Sequence, residues 1–134
     1  MESDTAIRTQ DHMISIVDDD ESVREATKGL VRSLGYAAAT FSSAEEFLTS
    51  DRVHATSCLI ADVQMPGLSG IDLQHRLAAE GLRLPVIFVT AFPDERTRRR
   101  AIDAGAVDYL SKPFSDEQLV SCLNTALNKD APER

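Results

Sequence analysis

Residues 13–35 read MISIVDDDESVREATKGLVRSLG. The first five, MISIV, form a short apolar run of strand length, and three consecutive aspartates, Asp18, Asp19 and Asp20, follow at once. Beyond them Val23, Ala26, Leu30, Val31 and Leu34 recur at helical spacing, and Gly35 stands where a helix is commonly closed. A strand, an acidic turn and an amphipathic helix make one βα unit.

The rest of the chain follows the same plan. Residues 37–41 read as a weaker strand, and Ser43 with Glu46 supplies a capping box for a helix reaching about residue 50. Residues 58–61 are a third strand; Pro66, Gly67 and Gly70 punctuate a loop, and a helix over 71–80 turns Ile71, Leu73 and Leu77 inward. Residues 84–89 form strand four, with Pro85 tolerable only near its start. A helix over 94–104 ends at Gly105, strand five covers 107–110, and a last helix over 115–127 buries Leu119, Val120, Leu123, Ala126 and Leu127. Such alternation predicts an α/β fold: a doubly wound, five-stranded parallel sheet of the (βα)5 flavodoxin-like kind, with strand order 2-1-3-4-5.

A chain of 134 residues suits one domain with its own core. The expected division is a flexible tail over 1–12, the domain over 13–128, and a tail or the start of a linker over 129–134. A net charge of −8 argues against direct binding of nucleic acid or an anionic membrane, since both demand a cationic surface. Cys58 and Cys122 lie far apart with no ligand rhythm, which favours buried reduced thiols, and His12, His54 and His75 show no metal spacing. The absence of a secretory signal or a membrane-length apolar run gives a cytoplasmic reading.

Every apolar strand but the weak second ends in a polar group: Asp18 and Asp19, Asp62, Thr90 and Lys112. Ligands of open α/β sheets bind outside the carboxyl ends of the strands, so these five residues are expected to converge on one site. Each carboxylate pair there costs on the order of 4 kcal/mol at about 4 Å and an effective dielectric near 20. Lys112 can offset one charge, and a hard divalent ion such as Mg²⁺ suits the rest. A phosphoryl group suits the completed site, with Lys112 and the Thr90 hydroxyl as clamps and Asp62 as the nucleophile.

The stretches Ile16 to Asp20, Asp62 to Gly67, Thr90-Ala91 and Lys112-Pro113-Phe114 resemble the receiver domain of two-component response regulators over about residues 13–127. Gly105 to Tyr109, before Lys112, is most similar to the FixJ-type branch. The resemblance implies that Asp62 is the phosphoacceptor. It also implies that Asp19, Asp62 and the backbone carbonyl of Gln64 ligate Mg²⁺, with Mn²⁺ as a substitute, and that Asp18 helps through water. For Asp20 a helix N-cap is favoured over a metal role. The Lys112–Pro113 bond resembles the cis peptide the family often carries. Thr90 and Tyr109 are the implied switch pair, Tyr109 turning inward as Thr90 moves to phosphate. Phe92 and Gln64 are the implied tuning positions; an aromatic at Phe92 cannot orient water, which implies slow self-dephosphorylation.

The implied partners are a sensor histidine kinase, meeting exposed positions of the first helix, and a second copy in a homodimer through helix four, strand five and helix five. The implied output is control of transcription, with no separate substrate turned over. Arg96, Arg98, Arg99 and Arg100 on helix four suit a solvated face or a partner contact equally, while Arg24, Lys28 and Arg83 read as plain surface charges. Two alternatives stay open. An aspartyl-phosphate phosphatase-type hydrolase would call for D-x-D after the first strand, where this chain has contiguous aspartates, and a non-phosphorylated pseudo-receiver would call for lost site residues, whereas all five are present.

Overall fold

The structure, a computed structural model, describes residues 12–128. Five parallel strands, β1 (Met13–Val17), β2 (Ala37–Phe41), β3 (Cys58–Asp62), β4 (Val86–Thr90) and β5 (Asp108–Ser111), are ordered β2-β1-β3-β4-β5. The helices are α1 (Glu21–Ser33), α2 (Ala44–Leu48), α3 (Gly70–Ala79), α4 (Glu95–Asp103) and α5 (Asp116–Asn128), with a single 3₁₀ turn at Val53–Ala55 among the described residues. The expected doubly wound sheet and strand order are those observed. Except for His12, the tails expected at 1–12 and 129–134 lie outside the described residues.

Side chains of a strand alternate between faces, and the central strands show it: Leu59 and Phe88 pack on one side of the sheet, Ile60, Ile87 and Val89 on the other. The first side is covered by Phe47 of α2, Leu73 and Leu77 of α3 and Ala101 of α4, the second by Val31 of α1 and Leu119, Cys122 and Leu123 of α5. With helices on both faces, β3 and β4 are buried along their whole length, which is why they read as continuous apolar runs. The weak second strand is an edge, and of its residues only Phe41 is buried.

Local chemistry accounts for the helix starts and for several departures from expectation. Asp20 caps α1, its carboxylate accepting from Val23 N at 3.2 Å, so the N-cap role is the one it takes. On α1 it is Thr27 and Val31 that are buried, with Leu30 and Leu34 packed beside them; Ala26, expected inward, is exposed, because it lies on the flank that lines a cleft with Pro113 and Phe114. On α5 Leu119, Leu123 and Ala126 are buried as expected, while Val120 and Leu127 are only half-buried and Cys122 takes an inward place. The expected capping box at Ser43 is half made: Ser43 Oγ accepts from Glu46 N, but the Glu46 carboxylate accepts from Ser42 N at 2.7 Å instead. The complete reciprocal box belongs to α3, between Ser69 and Asp72. Helix α4 is held most lightly, Ala101 being its one buried side chain against five buried residues on α3.

Candidate functional site

Register carries the polar strand ends to one place. Val17 pairs with Ala61, so Asp18 stands beside Asp62. Asp62 pairs with Val89, which sets Thr90 one step beyond, and Thr90 pairs with Ser111, which sets Lys112 one step further. Backbone bonds extend the pairing past the strand ends, with Asp18 N donating to Phe41 O at 3.1 Å and Lys112 N to Thr90 O at 2.7 Å. Asp18 and Thr90 are buried and Asp62 is 5% exposed, so these polar groups sit in the mouth of the sheet.

Carboxylate oxygens of Asp18, Asp19 and Asp62 all lie within 4.8 Å of one another. Lys112 Nζ is 3.0 Å from Asp18 Oδ2 and 3.2 Å from Asp62 Oδ2, an ion pair with each. Among the described residues Lys112 is thus the cation paired with a cluster of three carboxylates, through Asp18 and Asp62. Burial first, then the Asp18 charge, push the Asp62 carboxyl up to about 6, against the pull of Lys112 and the Gln64 N–H. Burial opposes the Lys112 charge, but Asp18 and Asp62 outweigh it and raise Lys112 above its ordinary 10.5. The surplus negative charge of this cluster fits a hard cation taking oxygen ligands. Asp20 stands outside this cluster at the head of α1.

The remaining expected residues are placed as follows. Thr90 Oγ1 donates to Gln64 Oε1 at 2.8 Å and accepts from Phe92 N at 3.0 Å, while the Phe92 side chain is 71% exposed. Tyr109 is already buried, its hydroxyl accepting from Asp94 N at 3.3 Å, and Asp94 is the N-cap of α4. The Lys112–Pro113 bond is cis. The basic residues of α4 are exposed, Arg98 forking onto Glu95 at 3.1 and 3.2 Å and Arg99 reaching the same carboxylate at 3.6 Å.

Three supporting contacts went unread in the sequence. Arg24, taken there as a plain surface charge, donates from Nη1 to Asp18 O at 2.8 Å and ties α1 to the end of β1. Glu45 accepts from Leu68 N at 3.0 Å and lies against Gly67, pinning the loop that leaves Asp62; that hydrogen bond is the main reason its pKa falls below the ordinary 4.5. At Gly70 a Cβ would strike the Asp62 carbonyl oxygen and come within 3.1 Å of the Phe88 ring, so only glycine lets the first turn of α3 pass this close beneath Asp62. Glycine after a proline-marked loop was the one sequence signal for this; Arg24 and Glu45 gave none, because their partners are backbone groups brought close only by folding. Beside Lys112 a mostly apolar cleft of about 470 Å³ opens between Val23 and Ala26 of α1 and Pro113-Phe114.

The family described as the response regulator receiver domain matches residues 14–124. The chain belongs to that family. It is 46% identical to the response regulator protein TmoT of Ectopseudomonas mendocina over 93% of its own length and 56% of TmoT. It is 34% identical to the transcriptional regulatory protein FixJ of Bradyrhizobium diazoefficiens over 89% of itself and 58% of FixJ. The crystal structure of FixJ-N superposes with a TM-score of 0.79 at 32% identity, covering 89% of this chain and 95% of that one. The FixJ-type resemblance read in the sequence is thus upheld, and this receiver spans somewhat over half the length of the two curated relatives named. No helix among its described residues is long and apolar enough to cross a membrane.

Proposed function

We propose that this receiver takes a phosphoryl group onto Asp62 from the phosphohistidine of a sensor kinase and passes the change to its α4-β5-α5 face. The observation that carries this reading is Asp62 ending β3 inside the Asp18–Asp19 cluster, with Lys112 Nζ 3.2 Å away. Asp19, Asp62 and the Gln64 backbone carbonyl would hold Mg²⁺, with Asp18 helping through water and Mn²⁺ as a substitute. When bound, the ion supplies positive charge against the oxygens of the transferring group.

In the transfer, an Asp62 carboxylate oxygen attacks phosphorus and the P–N bond breaks with its electron pair going to the ring nitrogen, while the other ring nitrogen of the phosphohistidine carries a proton taken from solvent, so imidazole leaves neutral. Lys112 meets the charge on the phosphoryl oxygens, and Thr90, freed to rotate, donates its hydroxyl proton to one of them. Water later cleaves the acyl phosphate; the solvent-exposed Phe92 ring offers that water no polar group, so the phosphorylated state is long-lived. This self-catalysed gain and loss of phosphate is the only chemistry the domain performs. The apolar cleft beside Lys112, with exposed α1 positions along it, suits a docking helix of the kinase.

Thr90 leads β4 into the segment before α4, and the Tyr109 hydroxyl ties β5 to the α4 cap, so a move of Thr90 reaches the most lightly held helix. A homodimer through α4, β5 and α5 follows, with the exposed arginines of α4 at its edge, and the output in the whole protein is transcriptional, as FixJ's name states of that relative. A cytoplasmic kinase substrate that itself touches neither DNA nor membrane agrees with the net charge of −8. The test is labelling by acetyl phosphate. It should require Mg²⁺ and vanish in Asp62→Asn; labelling that survives in Asp62→Asn, or fails in the wild type, would overturn the reading.

A further inference from the structure

The Thr90 hydroxyl has one proton, and here that proton is engaged by the Gln64 amide oxygen at 2.8 Å, while its lone pair takes the Phe92 N–H at 3.0 Å. The loop presenting Gln64 is fixed at both ends. Gln64 N donates to Asp62 Oδ1 at 3.2 Å, Gly70 N to Val63 O at 3.0 Å, and Leu68 N to Glu45 Oε2 at 3.0 Å. The exposed Gln64 side chain therefore reaches Thr90 from a tethered position, across from β3 to the end of β4.

We infer that Gln64 is a latch on the switch: its amide oxygen competes with a phosphoryl oxygen on Asp62 for the single Thr90 proton. The inference rests on the phosphoacceptor reading above and adds a resting-state restraint to it. A hydroxyl donates once, so Thr90 cannot serve both acceptors. The phosphoryl oxygen is charged and is the stronger acceptor, so it wins, but the Gln64 bond must break first. The net worth of one such bond corresponds to about a two- to tenfold shift in the switch equilibrium. Gln64 is on this account a positioning residue that acts through Thr90, in addition to lending its backbone carbonyl to the cation.

Beryllium trifluoride with Mg²⁺, an analogue of the aspartyl phosphate, provides the test, its affinity measured by titration calorimetry on the full chain. Gln64→Met keeps the side-chain length and the backbone carbonyl but removes the acceptor, and at an exposed position it leaves the core untouched. It should bind the probe about two- to tenfold more tightly than the wild type. In a Thr90→Val background the same substitution should have no effect, since the proton in contention is gone. Equal or weaker binding by Gln64→Met, or an undiminished gain in the Thr90→Val background, would overturn the latch alone. Failure of the wild type to bind the probe would overturn the phosphoacceptor reading and the latch with it.

Discussion

Removing the negative charge of Asp62 should stabilise the metal-free protein even as it abolishes phosphorylation. Among the described residues Lys112 is the side-chain cation paired with the carboxylate cluster, and the carboxyl of Asp62 is pushed up to about 6 from an ordinary 3.8. At about 1.36 kcal/mol per pH unit, ionised Asp62 costs the fold roughly 3 kcal/mol relative to the unfolded chain at neutral pH. A carboxyl whose folded pKa is raised favours the fold below the unfolded value and loses that advantage as pH rises through the folded one. The gain of Asp62→Asn should therefore be full above pH ~6 and fade between about 6 and 4. For a domain of this size, about 2–3 kcal/mol corresponds to a melting-temperature rise of roughly 10 °C. Thermal unfolding followed by circular dichroism in EDTA, at several pH values, measures it. With Mg²⁺ present the order should reverse, because the cation stabilises only the charged cluster. An Asp62→Asn protein that melts at or below the wild type in EDTA at neutral pH, or whose gain persists unchanged at pH 4, would refute the account of a strained carboxylate cluster.

Gly70→Ala should cost about 1–3 kcal/mol in urea unfolding and weaken Mg²⁺ binding, because the added methyl meets the Asp62 carbonyl and the Phe88 ring. Phe92→Glu should shorten the lifetime of the phosphorylated form, followed by loss of label; a lengthened lifetime would contradict the water-orienting argument. Amide exchange should be faster along α4 than along α3, which has five buried residues and a reciprocal cap. Cys122, pushed up to about 12 by burial and then by Asp108, should resist iodoacetamide at neutral pH until the protein unfolds, as mass spectrometry would show.

What was legible in the sequence were the features that depend on period and position along the chain. The continuous apolar runs at β3 and β4 mark strands buried on both faces, and the polar residue ending each run marks the site, because parallel strands start and stop in register. Boundaries moved by a residue or two where the chain is locally ambiguous: Leu84 and Pro85 are apolar but lie before β4, and Ser111, polar, completes β5. Contacts made by side chains to backbone groups of other elements were not legible. Arg24 to Asp18 O and Glu45 to Leu68 N have no period and no motif. Tyr109 is a further case, its ring lying in the core with the hydroxyl on the α4 cap, a tie between elements that no pattern in the sequence marks.

That placement bears on how a small chemical event can move a surface. A ligand shifts an equilibrium only by the difference in its affinity for the two states, and on the proposed reading a phosphoryl group on Asp62 would draw its side-chain contacts from Lys112 and Thr90. Hydrogen bonds to charged groups are worth about 1.5–3 kcal/mol each, so the available drive is a few kcal/mol. Elements packed like α3, with Ile71, Leu73 and Leu77 buried at about 1.5–3 kcal/mol per side chain, are held more firmly than a drive of that size can release. Helix α4 presents only Ala101 to the core and leaves Ile102 37% exposed; beyond the core it is held by the Asp94 cap on Thr97 and the Tyr109 hydroxyl on Asp94 N. Its attachment is therefore of the same size as the drive, and the Thr90–Gln64 bond is of that size too. The weakest-packed helix follows Thr90 in the chain, and its sequence is rich in charge and poor in core residues, so on the proposed reading a phosphoryl-sized energy acts where it can change a surface.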